Sequence, residues 1–196
     1  AWTNYPLLFH ELSAVESELI MEDDKVQVYT IPLKHRVYTN GFLFKEKIGE
    51  RKLDIDAVLN LNIDTCYYRN IKKGKDVVLE TGERIANERL TLDPPSPKSY
   101  AFCSDTAYNE EVIPLIENVD LLYHESTFLE QHQEVAVQTG HSTAKQAATI
   151  AEKAKVDTLI LGHYSTRYKD LELFRSEAQL VFQKVELAED GKEFVI

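Results

Sequence analysis

Residues 157–163, DTLILGH, form a nearly continuous apolar run that ends in a histidine. Such a run reads as a strand covered on both faces, the pattern of a parallel strand inside a layered α/β sheet. Just ahead of it, Ala144, Ala147, Ala148, Ile150, Ala151 and Ala154 recur at helical spacing, with Ser142 or Thr143 placed to cap the helix start. Alanine favours helix and allows close packing on a sheet. A buried strand fed by a small-residue helix constrains the chain to an α/β layered fold.

The rest of the sequence agrees with that class. The stretches 24–33 and 39–47 read as strands, the second with Asn40-Gly41 as turn punctuation. Residues 53–63 read as a helix with a fair apolar face, and 72–87 as a small hairpin between glycine turns. The clearest break is LDPPSPK, 92–98, because prolines so close together cannot continue a helix or a central strand. Strands are expected at 99–106, 120–128 and 157–163, helices at 108–119 and 170–182, and a closing strand at 192–196.

Composition excludes several classes. The longest apolar runs fall well short of the roughly 18 residues that a membrane span requires, so no membrane association is expected. The opening AWTNYPLLFH lacks a basic cluster followed by an apolar stretch and is not expected to be a secretory signal. Two cysteines, Cys66 and Cys103, are expected to stay as thiols in a cytoplasmic protein. With 22 basic and 33 acidic residues the formal charge is −11. A polyanion is repelled on average by such a chain, so a nucleic-acid role requires a local basic patch or metal ions.

Several apolar strands end in polar residues that can bind ligands: IPLKHR, AFCSDT, LLYHEST and LILGHYSTRY. In layered α/β folds, strand ends at one sheet edge converge on the binding crevice. His35, Asp105, His124, Glu125 and His163 could share that edge, and His141 at a helix start could join them. Imidazole nitrogen and carboxylate oxygen suit zinc or manganese. Spacing alone does not establish a metal site, because a histidine at a strand end is often an ordinary hydrogen-bonded residue.

The ordered set FCSDT, DLLYHESTF, GHSTAKQAA and LILGHYSTRY, with the upstream IPLKHRVYTNGFLF and the segment IKKGKDVVLETG, resembles the C-terminal half of ribonuclease Z. That family comprises the tRNA 3′-processing endoribonucleases of the metallo-β-lactamase superfamily. The resemblance implies a four-layered αββα sandwich of which this chain supplies the C-terminal half, with 48–98 as an inserted helix and hairpin region. It implies a two-metal centre, usually zinc with manganese as the alternative, and a precursor tRNA substrate; a half-sandwich leaves apolar strand faces uncovered, so a homodimer is expected. By motif position, His35, Asp105 and His163 resemble metal ligands, with Asp105 bridging two ions. His141 resembles the proton donor to the leaving oxygen, Glu125 the carboxylate that orients it, and Arg167 a phosphate-contacting arginine.

The chain also departs from the family. The signature His-x-His-x-Asp-His is absent, and all six histidines are isolated in sequence. The N-terminal half of the family is expected to be missing, so this chain alone should cleave tRNA weakly or not at all. Two other readings compete: a non-catalytic module for association or dimerisation, and a small-substrate phosphodiesterase of the same superfamily. For single residues, Asp105 could cap a turn, His141 could be a helix N-terminal residue without chemistry, and Arg167 could pair with Asp170. Glu125 could accept a backbone hydrogen bond only. His124 is expected to be structural, and His10 and His132 surface or packing residues.

Overall fold

The structure is a computed structural model that describes residues 5–196; the first four residues of the opening stretch read above lie outside the described residues. The chain divides into two compact units. The larger comprises the residues up to Glu22, Gln27–Lys45 and Lys98–Ile196; the smaller comprises Asp23–Val26 and Glu46–Pro97.

In chain order the strands begin with Leu19–Glu22 (β1), Val26–Leu33 (β2) and Thr39–Glu46 (β3). The smaller unit follows, with Lys52–Leu53 (β4), helices Ile55–Asn60 (α1) and Tyr68–Lys72 (α2), and the short strands Val77–Val78 (β5), Arg84–Ile85 (β6) and Thr91–Leu92 (β7). β4 pairs with β7 and β5 with β6, both antiparallel, around a core of Val58, Ile63, Ile71, Val77, Ile85 and Leu90. The side chain of Asp54 caps α1 by accepting from the Ala57 amide at 3.0 Å. The buried Asn87 amide donates to the carbonyls of Ile71 and Lys75, which replaces the hydrogen bonds that burial removes.

The larger unit continues with strands Ser99–Cys103 (β8) and Leu121–Glu125 (β9), helices Gln133–Thr139 (α3) and Ala144–Ala154 (α4), strand Thr158–Gly162 (β10), helix Glu172–Ala178 (α5) and strand Val185–Leu187 (β11). One seven-stranded mixed sheet runs in the order β1-β2-β3-β8-β9-β10-β11. β1–β2 and β3–β8 are antiparallel, whereas β8, β9, β10 and β11 are mutually parallel. β10 lies between two parallel neighbours, and Leu159 through Gly162 are all buried, as its unbroken apolar run requires.

Helix α4 packs against β9, β10 and α5 through its small-residue face. Ala144, Ala147, Ala148, Ile150, Ala151 and Ala154 are all buried. Thr143 is the cap: its hydroxyl accepts from the Gln146 amide, and the Gln146 side chain accepts from the Thr143 amide in return.

Some sequence expectations are corrected. The stretch 53–63 is a short helix over 55–60 preceded by a strand pair, because Asp54 caps the chain into α1. The stretch 108–119 is a 3₁₀ segment, Glu110–Leu115, since Pro114 has no amide to donate to an α-helical bond. Residues 192–196 form no strand; β11 at Val185–Leu187 closes the sheet edge instead.

Candidate metal centre

β8, β9 and β10 run parallel, so their C-terminal ends meet at one edge of the sheet. The register pairs Cys103 with His124 and Gly162 with Glu125. Asp105, Glu125 and His163 therefore emerge side by side. His35 follows β2 in a loop tied to the loop after β8: the Lys34 amide donates to Thr106 Oγ1 at 3.2 Å, and the Ala107 amide to the Lys34 carbonyl at 2.7 Å. His141 stands between α3 and α4.

The candidate residues are close together. His35, Asp105 and His141 each offer one ligand atom within 4.8 Å of the others, and Glu125, His141 and His163 form a second such set. His163 Nε2 lies 3.3 Å from Asp105 Oδ1. The His141 ring centroid is 5.1 Å from that of His35 and 5.3 Å from that of His163. Asp105 is thus within reach of both His35 and His163, while His141 belongs to both sets.

Each of the three histidines has its Nδ1 turned to an oxygen. His35 Nδ1 meets the Gly140 carbonyl at 2.9 Å, His141 Nδ1 meets Glu125 Oε1 at 2.7 Å, and His163 Nδ1 meets Thr127 Oγ1 at 2.9 Å. In each ring Nε2 is the nitrogen that remains for chemistry. Gly140 closes α3 with φ 77°, and a Cβ there would stand 3.0 Å from His35 Nδ1. The glycine permits both the left-handed turn and the close approach of the imidazole.

Glu125 is fully buried, and five donors surround it. Oε1 receives the Thr106 amide and His141 Nδ1; Oε2 receives the Thr127 amide, the Thr127 hydroxyl at 2.6 Å and the Ser142 amide. These bonds offset the cost of taking a carboxylate out of water. Asp105 and His163 both take the left-handed backbone conformation, at φ 58° each. Non-glycine residues rarely do so, and such strain gathers where side chains are held for a task.

The other histidines are elsewhere. His124 is buried with Nδ1 2.7 Å from the Glu125 carbonyl, and burial pushes its pKa below the usual imidazole value. His132 is bonded to the Tyr168 hydroxyl at 2.6 Å, and His10 is exposed. The Arg167 guanidinium lies 5.1 Å over the Phe128 ring, which is 6.3 Å from the His141 ring. Among the described residues it forms no ion pair with Asp170, whose carboxylate accepts from the Glu172 amide. Cys103 is a buried thiol whose pKa burial pushes up to about 12, and Cys66 is exposed and free.

Sequence reasoning missed Thr127 and Ser142, which complete the ring of donors around Glu125. A hydroxyl two residues beyond a strand-end carboxylate was the available signal. Its meaning depended on how β9 and β10 pair.

The donor set fits a borderline divalent cation. His35 and His163 each bring an imidazole nitrogen close to the Asp105 carboxylate, the ligand types zinc and manganese accept, and His141 belongs to both sets.

No protein-family model matches the chain. It is 44% identical over 187 residues to a protein named ribonuclease Z from Parabacteroides distasonis, which covers 95% of this chain and 62% of the relative. The chain is a homologue of ribonuclease Z. It spans about three fifths of the length of the curated ribonuclease Z sequences it matches, 62% and 59% for two of them. Among solved structures, the metallo-β-lactamase fold protein YhfI of Bacillus subtilis matches with a TM-score of 0.59 at 16% identity, covering 93% of this chain and 54% of that one. The short form of human tRNase Z matches with a TM-score of 0.53 at 23% identity, covering 89% of this chain and 44% of that one. The chain thus has the metallo-β-lactamase fold, in which its sheet and covering helices form part of the layered sandwich.

Proposed function

We propose that the chain is part of a metal-dependent endoribonuclease that removes the 3′ trailer of precursor tRNA by phosphodiester hydrolysis. The observation that carries this reading is the 44% identity to ribonuclease Z across 95% of the chain. The residues singled out from the sequence lie together at one sheet edge, which supports it.

In this reading His35, Asp105 and His163 would hold the metal, zinc or in its place manganese, and Asp105 would be the ligand shared by a two-ion centre. When bound, the ions provide Lewis acidity at the phosphoryl oxygens and an activated water. His141 delivers the proton to the leaving 3′ oxygen from Nε2, since its Nδ1 is held by Glu125. Glu125 orients that ring and offsets positive charge on it. Arg167 offers its planar fork to a substrate phosphate beside Phe128. The signature His-x-His-x-Asp-His does not occur in these 196 residues. The reading takes that cluster from an N-terminal half outside them, with 48–98 as an insertion, and places the complete enzyme in the cytoplasm as a homodimer. Among the described residues no helix is long and apolar enough to cross a membrane.

The test is reconstitution. Residues 1–196 are co-expressed with the N-terminal portion of a ribonuclease Z relative, and cleavage of a precursor tRNA is followed with and without a chelator. Metal-dependent cleavage at the 3′ trailer is expected, slowed about 10²–10⁴-fold by His141→Ala. Absence of cleavage from a folded, zinc-loaded complex contradicts the proposal.

A second reading is an association module. It is favoured by the sheet face that carries Tyr100 and Phe102, opposite the buried Ala101 and Cys103. There Phe44 stacks on Tyr100 and Phe102 on Tyr123, all only partly covered or exposed.

A further inference from the structure

We propose that Thr127 is a positioning residue that fixes the tautomer of His163, so that a single buried carboxylate, Glu125, sets the orientation of two imidazoles at the site. The inference deepens the reading above and rests on it for the metal, although the hydrogen-bond network stands by itself.

Donor counting carries the argument. The Thr127 hydroxyl has one proton and two neighbours, Glu125 Oε2 at 2.6 Å and His163 Nδ1 at 2.9 Å. A carboxylate oxygen already receiving two backbone amides can only accept, so the hydroxyl proton points to Glu125. Thr127 Oγ1 is then an acceptor toward His163, whose Nδ1 must carry the ring proton. The lone pair of His163 is thereby left on Nε2, 3.3 Å from Asp105 Oδ1. Two lone pairs facing one space invite a shared cation. With the opposite tautomer, Nε2–H would donate to Asp105 and close that space.

Glu125 sets His141 by the same logic in one step fewer, since Oε1 accepts directly from His141 Nδ1. The carboxylate is fully buried, and Thr127 is nearly so. The relay is therefore shielded from water, which would otherwise offer Nδ1 either role. Serine supplies the same hydroxyl, whereas valine keeps the shape and lacks the donor and the acceptor.

The tautomer can be read directly in the metal-free 196-residue chain labelled with ¹⁵N-histidine, at about pH 8.5, where an ordinary imidazole is neutral. Wild-type His163 is expected to be Nδ1–H, as is Thr127→Ser. Thr127→Val is expected to move His163 toward the Nε2–H form while His141 stays Nδ1–H. A general structural collapse would move both rings together. Zinc affinity measured by calorimetry should fall about 10–100-fold in Thr127→Val and stay within about twofold in Thr127→Ser. A wild-type His163 in the Nε2–H form overturns the proposal. So does a Thr127→Val variant with unchanged tautomer or unchanged zinc affinity. If the tautomer responds as stated while the wild type binds no zinc, the positioning role stands and the metal-dependent reading falls.

Discussion

At the scale of single residues, the site depends on which nitrogen each histidine presents. Gly140, Glu125 and Thr127 take up the Nδ1 atoms of His35, His141 and His163, leaving Nε2 for ligation or proton transfer. His124 shows the contrasting case of a histidine used for structure. It is buried, its ring meets a backbone carbonyl, and burial lowers its pKa. A lowered folded value means that the unfolded chain takes up a proton first as pH falls. The contribution of His124 is therefore fully present above about pH 6.5 and is lost as the solution is acidified below it. Urea midpoints should fall on that acidic side, and the His124 ring resonances should stay unshifted from about pH 8 to 6. A His124 resonance titrating with an ordinary midpoint would contradict this. The strand-end histidines and carboxylates were legible in the sequence because each follows an apolar run. Thr127 was not, because the hydroxyl two residues past Glu125 gains its meaning only from its second partner, His163, which follows another strand.

At the scale of elements, the legible parts were those whose burial is one-sided or complete. β10 announces itself by an unbroken apolar run, and α4 by alanines at helical spacing with a capping threonine. The missed elements have weak local signals. β1, LIME, is an exposed edge strand, and β11 has only three residues, paired on one side to β10. α3, QEVAVQT, contains β-branched residues that favour strands in isolation, and it ends at Gly140 through a left-handed turn. The run at 192–196 is apolar enough to suggest a strand, yet β11 already completes the edge. The α4 cap has a measurable consequence. Thr143→Ala removes the hydroxyl that accepts from Gln146, and should cost about 1 kcal/mol in chemical denaturation. A variant as stable as the wild type would show that tertiary packing of the alanine face alone holds the helix.

At the scale of the whole molecule, parallel pairing of β8, β9 and β10 turns four dispersed sequence motifs into one cluster. Sequence order could not show this, since Asp105, Glu125, His141 and His163 are separated by 16 residues or more. The resemblance of the motifs to ribonuclease Z supplied what spacing could not, and the 44% identity agrees with it. The partly covered Phe44–Tyr100 and Phe102–Tyr123 stacks lie on the sheet face away from the alanine helix, and the chain spans 62% of that relative. The proposed function requires these side chains to hold a divalent cation. X-ray absorption at the zinc edge, with metal content measured on the purified chain, tests it most directly. Bound zinc with mixed imidazole and carboxylate ligation is predicted for the wild type, and loss of most of that metal for Asp105→Ala. A wild-type chain without zinc, or an Asp105→Ala variant with full occupancy and the same ligation, would contradict it.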